Sequence, residues 1–427
     1  MPRNRNPSNR GGGPRRSDQK PARESEASGG SALIATHEEV AKVAERLATQ
    51  PVIAFDTEFL RERTFYPQLG LIQIADREDS WLLDPLELSQ SALQPLLDVF
   101  TDPNVLKVGH ALEQDQECLY RSYGTLASPI LDTSIAAALT GRGDQIGLSA
   151  LLEKLLGIRL KKTHTRTDWL KRPLPEAMAE YARLDVDRLV EASDILLKDL
   201  ERRGRREWAL AVSGELAEAS RYEPNPDALA QKLASNRRMD RTEYAVLREL
   251  VRWRENSVRS RDLPRKWLAE DQLLVKLAAA HPTRVEDLAH FRGLGAKMIE
   301  HGAKGLLGAI QRGLDTPVSE VPRPPERNEA AQDEQPALSV LRCFTTMLAR
   351  EHDVAMRFVV DPDALLALLR GRFETIGDLR AANILGRGAV EMFGDEMIEI
   401  LNGRRALRLE SGRLFRYTPN GRGGSLT

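Results

Sequence analysis

Apolar and polar positions change their period near residue 205. From about 31 to 205, short runs rich in β-branched and aromatic residues alternate with segments of helical spacing. Residues 52–55, 71–75, 81–83 and 105–108 read as strands, and 39–48 and 112–120 as helices. The connections between the first strands are short, so the pattern predicts a meander covered by helices, a mixed α/β layer architecture. Beyond about 206, Ala, Leu, Glu and Arg dominate with Pro and Gly punctuation, and an all-helical C-terminal half is expected.

That half repeats itself at an offset of 91 residues. Lys266-Trp267-Leu268 aligns with Arg357-Phe358-Val359, Leu274 and Leu277 with Leu365 and Leu368, and Leu294-Gly295 with Leu385-Gly386. Gap-free agreement at matching apolar sites implies two copies of one small helical unit. The expected division is a disordered basic tail at 1–30, an α/β region at 31–205 and a helical connector at 206–238. A first helical unit at 239–315, a linker at 316–336, a second unit at 337–403 and a basic tail at 404–427 complete it. The Pro-rich, charged linker would let the two units move independently.

Composition alters this picture in few places. Residues 1–30 are Arg, Gly, Pro and Ser with almost no apolar content, too little to offset the entropy of ordering. The net charge of -1 over 427 residues hides Arg clusters at both ends and in the middle, so it does not argue against a nucleic-acid partner. Cys118 and Cys343, the two cysteines, have no metal-binding spacing and give no disulfide framework. No apolar run approaches the ~18 residues of a membrane span, and a cytoplasmic protein is expected.

The chemistry begins at the first strand. Asp56 and Glu58 stand two apart, hence on one strand face, and hard carboxylate oxygens so placed suit Mg²⁺ or Mn²⁺. Asp115 follows a strand that runs into a helix and can supply a third ligand, although Glu113 and Glu117 are rivals by charge alone. Tyr181 and Asp185, four apart, share a helix face, where a carboxylate can ligate and a phenol can orient water. Each signal taken alone is also an ordinary solvated surface pattern.

Together they form a recognisable set. Asp56-x-Glu58, Asp115 after His110-Ala111, and Tyr181-x-x-x-Asp185 resemble the DEDD exonucleases of the tyrosine subclass. The stretches Arg63-Thr64-Phe65-Tyr66-Pro67-Gln68-Leu69-Gly70-Leu71-Ile72-Gln73, Leu131-Asp132-Thr133 and Thr167-Asp168-Trp169-Leu170 with Arg172-Pro173-Leu174 are similar to the ribonuclease D family, and the repeats resemble its HRDC domains. One departure is Leu112-Glu113-Gln114, where small residues are usual.

The resemblance implies a ribonuclease H-like fold and a two-metal 3′–5′ exoribonuclease releasing nucleoside 5′-monophosphates from RNA such as tRNA precursors. By the same resemblance Asp56 bridges two Mg²⁺ or Mn²⁺ ions, Glu58 and Asp185 hold the nucleophile's ion, and Asp115 serves the leaving group's. Phe59 and His110 become neighbours of the terminal nucleotide, or else core filler and a carbonyl-bound imidazole. Thr167 to Trp169 reads as a capped helix start anchored by a core Trp, in preference to the support of a substrate-facing loop. In the first repeat Arg248, Arg252 and Arg259, with Lys297 at a glycine-flanked helix start, are candidate RNA contacts or a solvated face. No nucleotide cofactor or membrane partner is expected. A DNA exonuclease of the same class and a non-catalytic adaptor gripping RNA 3′ ends are the rival readings.

Overall fold

The computed structural model describes residues 23–24, 33–160, 167–235, 237–325, 329–386 and 388–419, apart from the side chains of Arg23, Glu24, Ala296 and Lys297. After β1 (Arg23–Glu24), helix α1 (His37–Ala48) starts from a capping box in which Thr36 and Glu39 satisfy each other's backbone N–H groups. Strands β2 (Val52–Leu60), β3 (Gln68–Ala75) and β4 (Ser80–Leu83) form the predicted meander. Next come α2 (Gln90–Thr101), β5 (Leu106–Gly109), α3 (Glu113–Tyr123), β6 (Ile130–Asp132), α4 (Thr133–Leu139), α5 (Leu148–Leu156) and β7 (Ile158–Arg159). Helices α6 (Glu176–Leu184), α7 (Leu189–Arg202) and α8 (Arg206–Gly214) close the region.

The main sheet has the order β4-β3-β2-β5-β6, with β2 antiparallel to β3 and parallel to β5. β2 is central, and covered on both faces its Ile53-Ala54-Phe55 run is continuously apolar rather than alternating. β5 pairs with β2 only from Val52 to Ala54, so beyond that point one edge of β2 has no strand partner among the described residues. On one sheet face, Leu71 and Leu82 pack against Trp169, Met178, Ala179 and Ala182 of α6 and the turn before it. The expected strands and helices are present. The three residues of β6 are too short to show a period.

The first helical unit is α10 (Arg241–Ser260), α11 (Arg265–Leu268), α12 (Asp271–Ala280), α13 (Val285–Leu288) and α14 (Ala296–Asp315), with α9 (Pro226–Ala234) packed into its core through Ala230 and Ala234. The second is α15 (Gln335–Glu351), α16 (Met356–Val359), α17 (Leu365–Arg370), α18 (Ile376–Ala382) and α19 (Ala389–Leu401). The repeat is real in three dimensions: Arg265 and Met356, which open α11 and α16, and Val285 and Ile376, which open α13 and α18, are each 91 apart.

Four expectations need correction. The C-terminal half is not all helical, because β8 (Ala406–Glu410) and β9 (Arg413–Tyr417) form a hairpin where a basic tail was expected. Arg23 and Glu24, within the supposed unordered tail, pair in parallel with Ile158 and Arg159. The stretch after residue 205, expected as a helical connector, is helical but is built into its neighbours: Trp208 and Ala209 join the sheet core while α9 joins the first unit. Nor does the second unit stand apart from the α/β region. The second shares the sheet's core, with Trp208 edge-on to Phe358 and Phe393 at 6.2 and 6.1 Å between ring centroids. Ala355 N–H donates to Ala138 O at 3.0 Å, and Arg205 donates to the carbonyls of Leu139 and His352.

The first unit keeps its own core and touches the α/β region at the loop after β2. There Asp262 accepts the backbone N–H groups of Phe65 and Tyr66 at 2.9 and 3.1 Å. Phe65 packs on Val258 and Leu268, under the Arg265 guanidinium.

Candidate active site

Pleating sends Asp56 and Glu58 to one face of β2, and a register shift between Glu58 and Phe59 ends the regular ladder there. Helix α6 crosses that face and carries Tyr181 one turn before Asp185, which closes the helix as its C-cap. Oxygen atoms of Asp56, Glu58 and Asp185 lie within 4.8 Å of one another. Tyr181 donates a hydrogen bond to Asp185, and its ring is held 6.4 Å from that of buried Trp169.

Asp115 arrives from the open edge of β2. Its Oδ1 accepts both the Thr57 N–H at 3.0 Å and the Thr57 hydroxyl at 2.5 Å. This separates it from its rivals: Glu117 is bound by both terminal nitrogens of Arg61, and Glu113 pairs with Arg221. The turn into α3 is set by Asp132, which accepts the N–H groups of Ala111 and Leu112, both at 3.0 Å, and caps α4 through Ser134. Ala111 adopts φ 61° in that turn.

Four acids gathered so closely shift one another. Burial, then the charges of Asp185 and Asp115, push Glu58 up to about 8. Burial raises Asp185 to about 7 against the opposing Tyr181 hydrogen bond, and Asp115 to about 6 against its bonds from Thr57. Asp56 is held well above the usual carboxylate range by burial and by all three neighbours. Burial and the nearby carboxylates keep the Tyr181 phenol protonated. Such a set, made of oxygen donors alone and repelling itself, fits a hard divalent cation.

The other predicted residues fare differently. Phe59 is partly buried against the main core. Both ring nitrogens of His110 are engaged, Nδ1 with the Thr133 hydroxyl and Nε2 with Ile146 O, each at 2.9 Å, so the carbonyl-bound reading holds. Burial lowers its pKa. Thr167 to Trp169 opens no helix; it forms a turn in which Asp168 accepts the Leu170 N–H, and α6 starts only at Glu176. Arg248 and Arg252 do not present a free basic face but pair with Asp227 of α9, while Arg259 donates to Pro224 O. Lys297 sits in the first turn of α14, its side chain outside the described residues.

Several supporting residues went unassigned from sequence. Thr57, Asp132 and Arg172 are among them; Arg172 clamps Asp84 and donates to Gly70 O, against which Trp169 closes so tightly that a Cβ at Gly70 would lie 2.7 Å from its carbonyl. Asp132 and Arg172 fall in quoted motifs, which was the available signal.

Residues 32–201 match the family model of 3′–5′ exonucleases and residues 243–310 that of the HRDC domain. With an acidic cluster gathered on the central strand, fold and site define a metal-dependent 3′–5′ exonuclease. Ribonuclease D of Gluconacetobacter diazotrophicus is 33% identical over 398 residues, covering 90% of this chain and 96% of that one, and ribonuclease D of Nitrobacter hamburgensis is 34% identical over 386, covering 90% and 98%. The chain belongs to the ribonuclease D family and is an exoribonuclease. Among solved structures, Escherichia coli RNase D, an exoribonuclease involved in structured RNA processing, aligns with a TM-score of 0.76 at 28% identity, over 87% of this chain and 98% of its own.

Proposed function

We propose that this enzyme removes nucleoside 5′-monophosphates one at a time from the 3′ ends of structured RNAs such as tRNA precursors, using two Mg²⁺ or Mn²⁺ ions held by Asp56, Glu58, Asp115 and Asp185. The convergence of three carboxylates within 4.8 Å, with Asp115 pinned beside them, carries this reading. Cations held by these carboxylates would lower the pKa of the attacking water and offset charge on the leaving oxygen. Tyr181, protonated and hydrogen-bonded to Asp185, orients that water toward the terminal phosphorus. The water oxygen bonds to phosphorus as the P–O3′ bond breaks, so the released nucleotide carries the 5′-phosphate and a proton from the water ends on the new 3′-hydroxyl of the shortened RNA. Thr57 and Trp169 hold Asp115 and Tyr181 in register for this attack.

The chain is best divided as an exonuclease region followed by two HRDC-like units, the second supporting the first region's core. No helix among the described residues is long and apolar enough to cross a membrane, and we assign the enzyme to the cytoplasm.

The decisive comparison uses wild type, Asp56→Asn and Tyr181→Phe on a 3′-tailed tRNA, with a DNA oligonucleotide of the tail sequence alongside. Wild type should release mononucleotides from the RNA and stop on EDTA addition. Both variants should lose cleavage while keeping their fold and RNA binding. Wild-type release by Asp56→Asn, or activity indifferent to EDTA, would refute the assignment; equal digestion of the DNA would refute RNA selectivity.

A further inference from the structure

Gln73 lies on β3 in register with Asp56 on β2 and Leu82 on β4. Directly opposed residues of an antiparallel pair point to the same face, with Cβ atoms about 4.5–5.5 Å apart. That face is the one α6 covers, the face of Glu58, Tyr181 and Asp185. Gln73 is fully buried, and neither its Nε2 nor its Oε1 has a hydrogen-bond partner among the described residues. Leu71 lies two places along β3 and Leu82 across the next strand pair, both packed with Ala179 and Ala182 of α6. A leucine or methionine would fill the same space without stranding an amide, so the carboxamide is a cost to the fold in this state.

We propose that Gln73 is the positioning residue for Asp56: its amide donates to the Asp56 carboxylate and fixes that side chain when the acidic cluster holds its cations. The reasoning rests on the cation-binding reading of the site. A carboxylate shared between cations keeps spare lone pairs, and a neighbour that donates to one of them sets its orientation. An amide does so without adding positive charge, which a lysine or arginine in the same place would bring in competition with the cations. The Oε1 end is left to accept from water. Glu58 is a poorer partner, because Leu71 rather than Gln73 lies opposite it.

The test is Mn²⁺ titration of the full-length protein by calorimetry without RNA, on wild type, Gln73→Met and Gln73→Leu, together with metal-free melting curves and steady-state kinetics. Both variants should bind Mn²⁺ about 10- to 100-fold more weakly. Their metal-free melting temperatures should equal or exceed that of wild type, and kcat should fall while KM for RNA stays within about twofold. A folded Gln73→Met protein with wild-type Mn²⁺ affinity overturns the proposal. So does a lowered melting temperature with unchanged affinity, which marks a packing role alone. A wild type that takes up no Mn²⁺ overturns the cation site and the role of Gln73 together, and the first titration identifies that case.

Discussion

At the scale of single residues, position along an element made part of the site legible. Asp56 with Glu58, and Tyr181 with Asp185, are defined by strand and helix spacing. Asp115 could not be chosen over Glu113 and Glu117 by charge, because the deciding facts are tertiary: Thr57 donates to the one, Arg221 and Arg61 neutralise the others. Replacing Thr57 by Val removes the hydroxyl donor to a buried carboxylate, and kcat in Mn²⁺ should drop about tenfold or more. The acids also predict a pH dependence. Asp115, Asp185 and Glu58 rise to about 6, 7 and 8 on folding. An acid whose folded value is raised stabilises the fold fully below its unfolded value, near ~4, and loses that contribution as pH rises through the folded value. In EDTA the melting temperature should therefore fall from about pH 5 to about pH 9. Mn²⁺ should flatten the slope, and Glu58→Gln should reduce it without metal. A slope that neither change alters would contradict the electrostatic account.

Among the elements, strands and long helices followed their periods, whereas short or charged ones did not. The β8–β9 hairpin was hidden by its arginines, although Ser411 and Gly412 at its turn, with φ 48° and 76°, are the kind of pair that a tight hairpin needs. The basic stripe of α10 misled in the opposite sense. Its charges looked available to phosphates, but Asp227, from a helix that periodicity had left in a connector, takes up Arg248 and Arg252. The loop after β2 depends on a comparable long-range tie. Asp262→Ala leaves the Phe65 and Tyr66 N–H groups without their acceptor and should cost about 1–3 kcal/mol. Hydrogen exchange at those two amides should quicken while amides in the middle of β2 keep their protection.

For the molecule as a whole, the 91-residue repeat was visible in the apolar pattern, but nothing in it distinguished the copy with a private core from the copy that completes another's. That difference lies in Trp208, whose ring is wedged between the sheet region and Phe358 and Phe393. Trp208→Ala should cost about 3–5 kcal/mol. Urea unfolding should show the loss in the transition shared by the exonuclease region and the second unit, leaving the first unit's transition in place; equal shifts in both would argue against separate cores. The shared core also orders events in time. Leu200 and Phe393 belong to one core, yet they leave the ribosome about 200 residues apart, some 10–40 s at typical synthesis rates. During that interval the nascent chain exposes Trp208 beside a catalytic sheet that is not yet braced. The exonuclease region therefore gains its full core only once α19, the last helix, has been made.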